Sequence, residues 1–203
     1  ILAGGEMAMP SPEAVVKKLN DITGYHPLFK AAFPKAEDPI TYDNVGIAIG
    51  AFERLLATPT RWDWYLGGGK KALKENEIAG LATFSKYGCT TCHTGTLLGG
   101  DRYQKLGLVK PWPNQKDQGR FGVTGKEADK MFFKVPSLRN IAKTGPYFHD
   151  SSETTLKGAI KKMGRHQLGM DIPEDDVKAI ETFLNTLTGN IPAALQKAPK
   201  MPK

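Results

Sequence analysis

The chain has 203 residues, a length between one large domain and two small ones, and 40% of them are hydrophobic without counting glycine. This composition is globular and excludes disorder of the whole chain. The 28 Lys and Arg residues outnumber the 21 Asp and Glu residues, which gives a net charge of +7. Because the basic residues form no dense tract, we expect no nucleic-acid binding. No apolar run approaches the roughly 18 residues of a membrane span, and the start at Ile1 predicts a mature product or an excised piece.

The amino-terminal third carries two helix patterns. Ser11 is a predicted cap with Pro12 at the first helical position. A second helix is expected to begin after Thr41 and to end before Pro59. Its predicted core-facing residues are Val45, Ile49, Phe52 and Leu56.

The rest of the chain alternates helix patterns with one long irregular stretch. A helix is predicted over Lys70–Tyr87, and the pattern then disappears from Thr94 to Phe132. A stretch of that length is usually functional or wrapped around a ligand. Two more helices are predicted over Thr155–Gly164 and Pro173–Gly189, and the tail Pro192–Lys203 is expected to be disordered.

The two cysteines, Cys89 and Cys92, form the run Cys-x-x-Cys-His with His93. Two thiols at this spacing can each form a thioether with one porphyrin vinyl group, and the adjacent histidine can reach the iron. The run therefore predicts a covalent c-type haem with His93 as its proximal ligand. Since haem is attached in this way outside the cytoplasm, we expect a periplasmic protein.

Three other chemistries fit a pair of cysteines less well. A thioredoxin-like dithiol would need a βαβ context, whereas a helix is predicted before Cys89. Zinc would need two further ligands, and the remaining histidines, His26, His149 and His166, form no tight pair. A disulfide between residues three apart closes almost no loop and adds little stability.

The second axial ligand decides whether the sixth iron position is open or filled. The candidates are Met131, Met163, Met170, His149 and His166. Met163 continues an apolar series with Leu156 and Ile160, which places it on the buried face of a helix either as a ligand or as a core methionine. A methionine ligand would raise the reduction potential, because the soft thioether favours ferrous iron.

The sequence resembles the bacterial dihaem cytochrome c peroxidases over nearly its whole length. The segments that carry the resemblance are Phe52-Glu53-Arg54, Thr58-Pro59, Gly88 to His93, Gly95, Gly99-Gly100, Asp117 to Arg120, Phe133 to Asn140, Thr144 to Asp150 and Phe183 to Gly189. They match the second, high-potential haem domain and the segment before it. The resemblance implies a mainly α fold with a class I cytochrome c-like haem domain and long irregular loops. It divides the chain into a helical linker, 1–69, and a haem domain with its tail, 70–203.

The resemblance also implies roles for residues near the haem. The family methionine placed like Met163 is the distal ligand, and relatives that mature a tryptophan-derived quinone carry tyrosine there. His149 resembles a family histidine beside the haem, although it also fits a surface-loop histidine. Lys134 and Arg139 are candidates to neutralise the haem propionates, or are ordinary surface charges.

Peroxide chemistry in the family occurs at a first, low-potential haem, and this sequence has no second Cys-x-x-Cys-His run for it. Glu6 matches the family glutamate on the distal side of that haem, where a carboxylate moves protons between peroxide oxygens. The family also binds one calcium ion between its domains, in part through backbone carbonyls that match Thr144 and Pro146.

The function expected from the resemblance is electron acceptance within a periplasmic dihaem cytochrome c peroxidase, an oxidoreductase. Electrons from a small cytochrome c or cupredoxin would pass to a second haem in the complete protein, where hydrogen peroxide is reduced to water. Family members are often homodimers. The alternatives are a free-standing monohaem electron carrier without peroxidase activity and a zinc-stabilised interaction module.

Overall fold

The computed structural model describes residues 1–4 and 7–203, which form two compact units. Residues 1–57 and 191–203 form the terminal unit, and residues 58–190 form the central unit. The chain is mainly helical, as predicted. No helix within the described residues is long and apolar enough to cross a membrane.

The terminal unit is built from α1 (Pro12–Asn20), α2 (Tyr25–Ala32) and α3 (Tyr42–Leu55). The predicted cap is confirmed, because Ser11 Oγ accepts a hydrogen bond from the Ala14 N–H at 3.2 Å. The tail predicted to be disordered instead forms a short turn at Ala193–Leu195, and the Lys203 carbonyl accepts from the Gly24 N–H at 2.9 Å. The sequence did not predict α2.

The predicted burial of α3 is wrong for most of its apolar residues. Val45 is 8% exposed, whereas Ile49, Phe52 and Leu56 are 41%, 50% and 39% exposed. Within the terminal unit α3 packs against α1, and Val45 is the residue of α3 that becomes buried. Apolar periodicity therefore predicted the helix correctly but not how much of its surface is covered.

The central unit contains the remaining helices and a small antiparallel sheet, with β1 paired to β2. Its elements are α4 (Arg61–Leu66), α5 (Glu75–Lys86), β1 (Tyr103–Lys105), α6 (Phe121–Thr124), β2 (Phe132–Lys134), α7 (Leu156–Met163) and α8 (Glu174–Asn185). The helix predicted at 70–87 is confirmed as α5, which begins later, at Glu75. The helix predicted at 173–189 is confirmed as α8, which ends earlier, at Asn185. The division into linker and haem domain stays a prediction, although the compact unit starts at Thr58 rather than at Lys70.

The core of the central unit forms where α5 crosses α8. A side chain at Gly80 would collide with the carbonyl oxygen of Ala179, so only glycine permits this close approach. The ring of Phe183 lies 5.5 Å from that of Phe84 and 5.4 Å from that of Trp62. This crossing fixes the end of α5, from which the chain enters the two cysteines.

Candidate haem site

The Cys-x-x-Cys-His run forms a tight turn directly after α5. Gly88 has φ +77°, which turns the chain into a short helical turn at Cys89–Thr91. The Cys89 carbonyl accepts hydrogen bonds from the N–H groups of Cys92 and His93, at 3.3 and 3.0 Å. The turn therefore fixes both thiols and the imidazole on one short segment.

The proximal histidine is oriented by the main chain. The Nδ1 atom of His93 lies 3.1 Å from the Leu98 carbonyl oxygen. Since a carbonyl oxygen only accepts, Nδ1 carries the proton and Nε2 keeps its lone pair for a metal. Burial lowers the pKa of His93 below its usual value, against the opposing effect of hydrogen bonds to Leu98 and Pro136. The ring is therefore neutral at neutral pH, the form that ligates iron.

The loop that supplies the Leu98 carbonyl is tightly packed. Gly99 has φ +125°, and a side chain there would collide with the Pro136 carbonyl and approach His93 Nδ1 to 3.4 Å. Ser137 Oγ donates to the Leu97 carbonyl at 2.8 Å. These contacts hold the acceptor of the His93 hydrogen bond in place.

Arg139 holds the same loop and is itself held by Asp63 on α4. The guanidinium donates to both Asp63 carboxylate oxygens, at 2.7 and 2.5 Å, and to the Thr96 carbonyl at 2.9 Å. The Arg139 hydrogen bonds hold the pKa of Asp63 at about 2, with burial opposing them. Arg139 therefore joins α4 to the loop that carries the Leu98 carbonyl, and its predicted role at the haem propionates stays a prediction.

Lys134, the other predicted propionate partner, lies exposed at the end of β2. It pairs with Tyr103 across the sheet. Since successive side chains of a strand point to opposite faces, Lys134 and its neighbour Phe133 face opposite ways. Phe133 stacks on His149 with 4.2 Å between ring centroids, so Lys134 points away from His149. Its propionate role stays a prediction.

His149 lies in the loop before α7 and is half-buried. Both of its ring nitrogens are buried and find no hydrogen-bond partner among the described residues. The next residue, Asp150, accepts from Trp112 Nε1 at 3.0 Å, so a second group of this loop is fixed in place. Buried polar atoms without partners are rare, so these two nitrogens mark His149 as a candidate functional residue, and its place beside the haem stays a prediction.

Met163 is the last residue of α7 and is half-buried, three residues after the buried Ile160. The other candidates for the sixth position differ from it. Met131 is 6% exposed in the core, and Met170 is 44% exposed. His166 donates its Nδ1 proton to main-chain carbonyls at 3.1 Å. Met163 therefore stays the predicted distal ligand.

Both cysteines are half-buried free thiols. Burial raises the pKa of Cys89 to about 11, unlike the lowered pKa of a reactive dithiol. Within the part of the chain that the structure describes, no three His, Cys, Asp or Glu side chains cluster as metal ligands. The thioether chemistry of a c-type haem is what these residues fit.

Two predicted features, the calcium site and the role of Glu6, stay predictions. Thr144 and Pro146 are exposed, at the end of a short turn and just beyond it, and the calcium role of their carbonyls stays a prediction. Glu6 lies outside the described residues.

The sequence did not identify several residues whose contacts hold the loops of the site, namely Asp63, Leu98 and Trp112. Each acts through a contact between distant parts of the chain, or through its backbone carbonyl, and such contacts leave no local pattern. The run Phe133 to Asn140 did mark Arg139, but nothing in the sequence identified Asp63 as its partner.

A family model described as di-haem cytochrome c peroxidase matches residues 1–71. The cytochrome c551 peroxidase of Nitrosomonas europaea is 41% identical over 195 residues, which are 94% of this chain and 58% of that protein. The cytochrome c551 peroxidase of Pseudomonas aeruginosa is 42% identical over 188 residues, which are 90% of this chain and 54% of that protein. The chain thus spans less than two thirds of the length of these relatives.

Solved structures agree with the sequence comparison. The crystal structure of a MauG-like protein associated with microbial copper homeostasis has a TM-score of 0.70 and 29% identity, covering 88% of this chain and 62% of that one. The diheme peroxidase BthA of Burkholderia thailandensis shares the fold with a TM-score of 0.67 at 20% identity, over 99% of this chain and 66% of that one.

Fold and site together define a mainly helical protein of the c-type haem class, in which a Cys-x-x-Cys-His turn follows a helix packed in the core. With the matching family model and relatives, this chain belongs to the dihaem cytochrome c peroxidase family.

Proposed function

We propose that this chain is the electron-accepting, high-potential haem domain of a periplasmic dihaem cytochrome c peroxidase. A small cytochrome c or cupredoxin donates the electrons, which pass to a second haem in the complete protein, where hydrogen peroxide is reduced to water. The observation that carries the proposal is the hydrogen bond from His93 Nδ1 to the Leu98 carbonyl at 3.1 Å. It leaves Nε2 free beside two cysteines at the spacing of haem attachment.

The chain's own residues hold the group in this proposal. Cys89 and Cys92 would hold it through two thioether bonds, His93 would bind the iron through Nε2, and Met163 would supply the second protein ligand. When bound, the haem supplies one-electron chemistry between ferric and ferrous iron. The methionine thioether favours the ferrous state and raises the potential, so this site accepts electrons.

Exchange of Met163 tests the ligand set. The full chain is produced with covalent haem as the parent, as Met163→Leu, and as the matched control Met170→Leu, since Met170 is exposed. A methionine sulfur on ferric iron gives a weak red absorption band. We expect the band to vanish and the reduction potential to fall in Met163→Leu only. An unchanged band in Met163→Leu would remove Met163 from the site.

A free-standing monohaem electron carrier is the second candidate, favoured by the single Cys-x-x-Cys-His run in 203 residues. The native gene product decides between them, since the peroxidase needs a second haem in the same protein. Glu6 belongs to the first candidate, as the acid–base group at that second haem. In a dihaem product, Glu6→Gln is expected to lower peroxide turnover without changing the potential of the haem held by His93.

The calcium and assembly proposals come from the family resemblance. Carbonyl oxygens, such as those of Thr144 and Pro146, suit a hard cation. Calcium is expected to raise the melting temperature of the haem-loaded protein more than the same concentration of magnesium does. Equal shifts would count against a calcium site. A homodimer is expected for the complete protein, and its sedimentation coefficient measures this.

A further inference from the structure

Hydrogen bonds from side chains and from one backbone carbonyl tie the turn that follows the predicted ligand Met163 to a distant loop. Residues Gly164–Leu168 form a wide π-type turn directly after α7. Such turns are uncommon in proteins, and those that occur are often found at functional sites. Gly164 is buried, and a side chain there would approach Ile172 to 2.7 Å, so this position of the turn is closely packed.

Gln167 makes three hydrogen bonds to the main chain of the loop 105–111. Its Oε1 accepts from the N–H groups of Gly107 and Leu108, at 2.6 and 3.2 Å. Its Nε2 donates to the Lys105 carbonyl at 3.0 Å. The side-chain amide therefore satisfies two N–H groups and one carbonyl of the main chain, at the end of β1 and in the loop that follows it.

His166 joins the same loop from the next position. Its carbonyl accepts from the N–H groups of Val109 and Lys110, both at 3.1 Å. Its ring Nδ1 lies 3.1 Å from the carbonyl oxygens of Lys110 and Pro111, and the ring packs on Trp112 with 4.9 Å between centroids. Trp112 in turn donates to Asp150, the neighbour of His149.

We propose that Gln167 and His166 are positioning residues for the distal ligand, and that they hold Met163 by fixing its turn to the loop 105–111. The proposal rests on the proposed role of Met163 as the sixth ligand. Residues that orient a metal ligand from outside its coordination shell typically change metal binding by about tenfold or more when removed. Without the hydrogen bonds of Gln167 and His166 to this loop, the backbone that carries Met163 would move more freely and its sulfur would leave the iron more often.

The test is competition by imidazole for the sixth position of the ferric, haem-loaded full chain. Gln167→Ala removes all three hydrogen bonds. Since the net free energy of one hydrogen bond corresponds to roughly a fivefold change in an equilibrium constant, imidazole is expected to bind at least about fivefold more tightly than to the parent. Gln167→Glu keeps the acceptor for Gly107 and Leu108 and should lie between Gln167→Ala and the parent. It also serves if Gln167→Ala does not fold.

The matched control is Asn185→Ala at the exposed end of α8, whose amide donates only to the Glu181 carbonyl within its own helix. Its imidazole affinity and red absorption band should equal those of the parent, whatever its melting temperature. Parental affinity and band in both Gln167 variants would overturn the proposal. Met163→Leu separates the two claims. If it keeps the band, the ligand assignment and this proposal both fail. If it loses the band while both Gln167 variants keep the parental imidazole affinity, only the positioning role fails.

Discussion

The ion pair between Asp63 and Arg139 is expected to stabilise the central unit at neutral pH. Asp63 has a folded pKa of about 2 against an ordinary value of 3.8. At about 1.4 kcal/mol per pKa unit this difference is worth at most about 2.5 kcal/mol. The Asp63 side chain is 36% exposed, so solvent screening reduces the contribution to about 1 kcal/mol.

The pH dependence has a definite sign. Because the folded state lowers the pKa of Asp63, the contribution is fully present above the ordinary value and is lost as the pH falls towards about 2. Asp63→Asn should therefore lower the free energy of unfolding by about 1 kcal/mol near neutral pH, with a smaller effect near pH 2. Urea unfolding of the haem-loaded chain at several pH values measures both.

The control is Asp175→Asn, because the Asp175 side chain is 96% exposed and forms only a pair within its own helix. This variant should lose less stability than Asp63→Asn, because an exposed carboxylate at a helix start contributes only about 0.5 kcal/mol. Equal losses of stability in both variants, or a pH-independent effect of Asp63→Asn, would refute the stabilising role of this ion pair.

Two glycine substitutions test the packing around the site. Gly80→Ala should lower the free energy of unfolding by more than about 2 kcal/mol, because the new methyl group collides with the Ala179 carbonyl where α5 crosses α8. Thermal unfolding measures this loss, and a change within experimental error would contradict the close crossing of the two helices. Gly99→Ala places a side chain against Pro136 at a positive φ, so we expect reduced covalent haem content by absorbance per protein, whereas Gly122→Ala, which meets open space, should retain it.

The elements with local signals were predicted from the sequence. The cap Ser11 marks the start of α1 because its side chain satisfies a free N–H group of the helix start. The Cys-x-x-Cys-His run is equally local. Its chemistry depends on a spacing of a few residues, which is directly visible.

The elements that depend on distant partners were missed or misread. The sheet pairs residues 103–105 with 132–134, and three-residue strands show too little alternation to be recognised. The six-residue helix α4 is stabilised by ion pairs from Arg61 to Glu77 and from Asp63 to Arg139. The apolar face of α3 was assigned to the core because periodicity reports a pattern of side chains, not what packs against them.

The intact mass of the native, undigested gene product tests the account most directly, because it reports haem number and chain length together. We predict a protein larger than the 22.2 kDa of these 203 residues, carrying two covalent haems, with one of them on the peptide that contains Cys89 and Cys92. A native product that carries a single haem would contradict the peroxidase proposal and favour the monohaem carrier. A product without haem on that peptide would contradict the site itself.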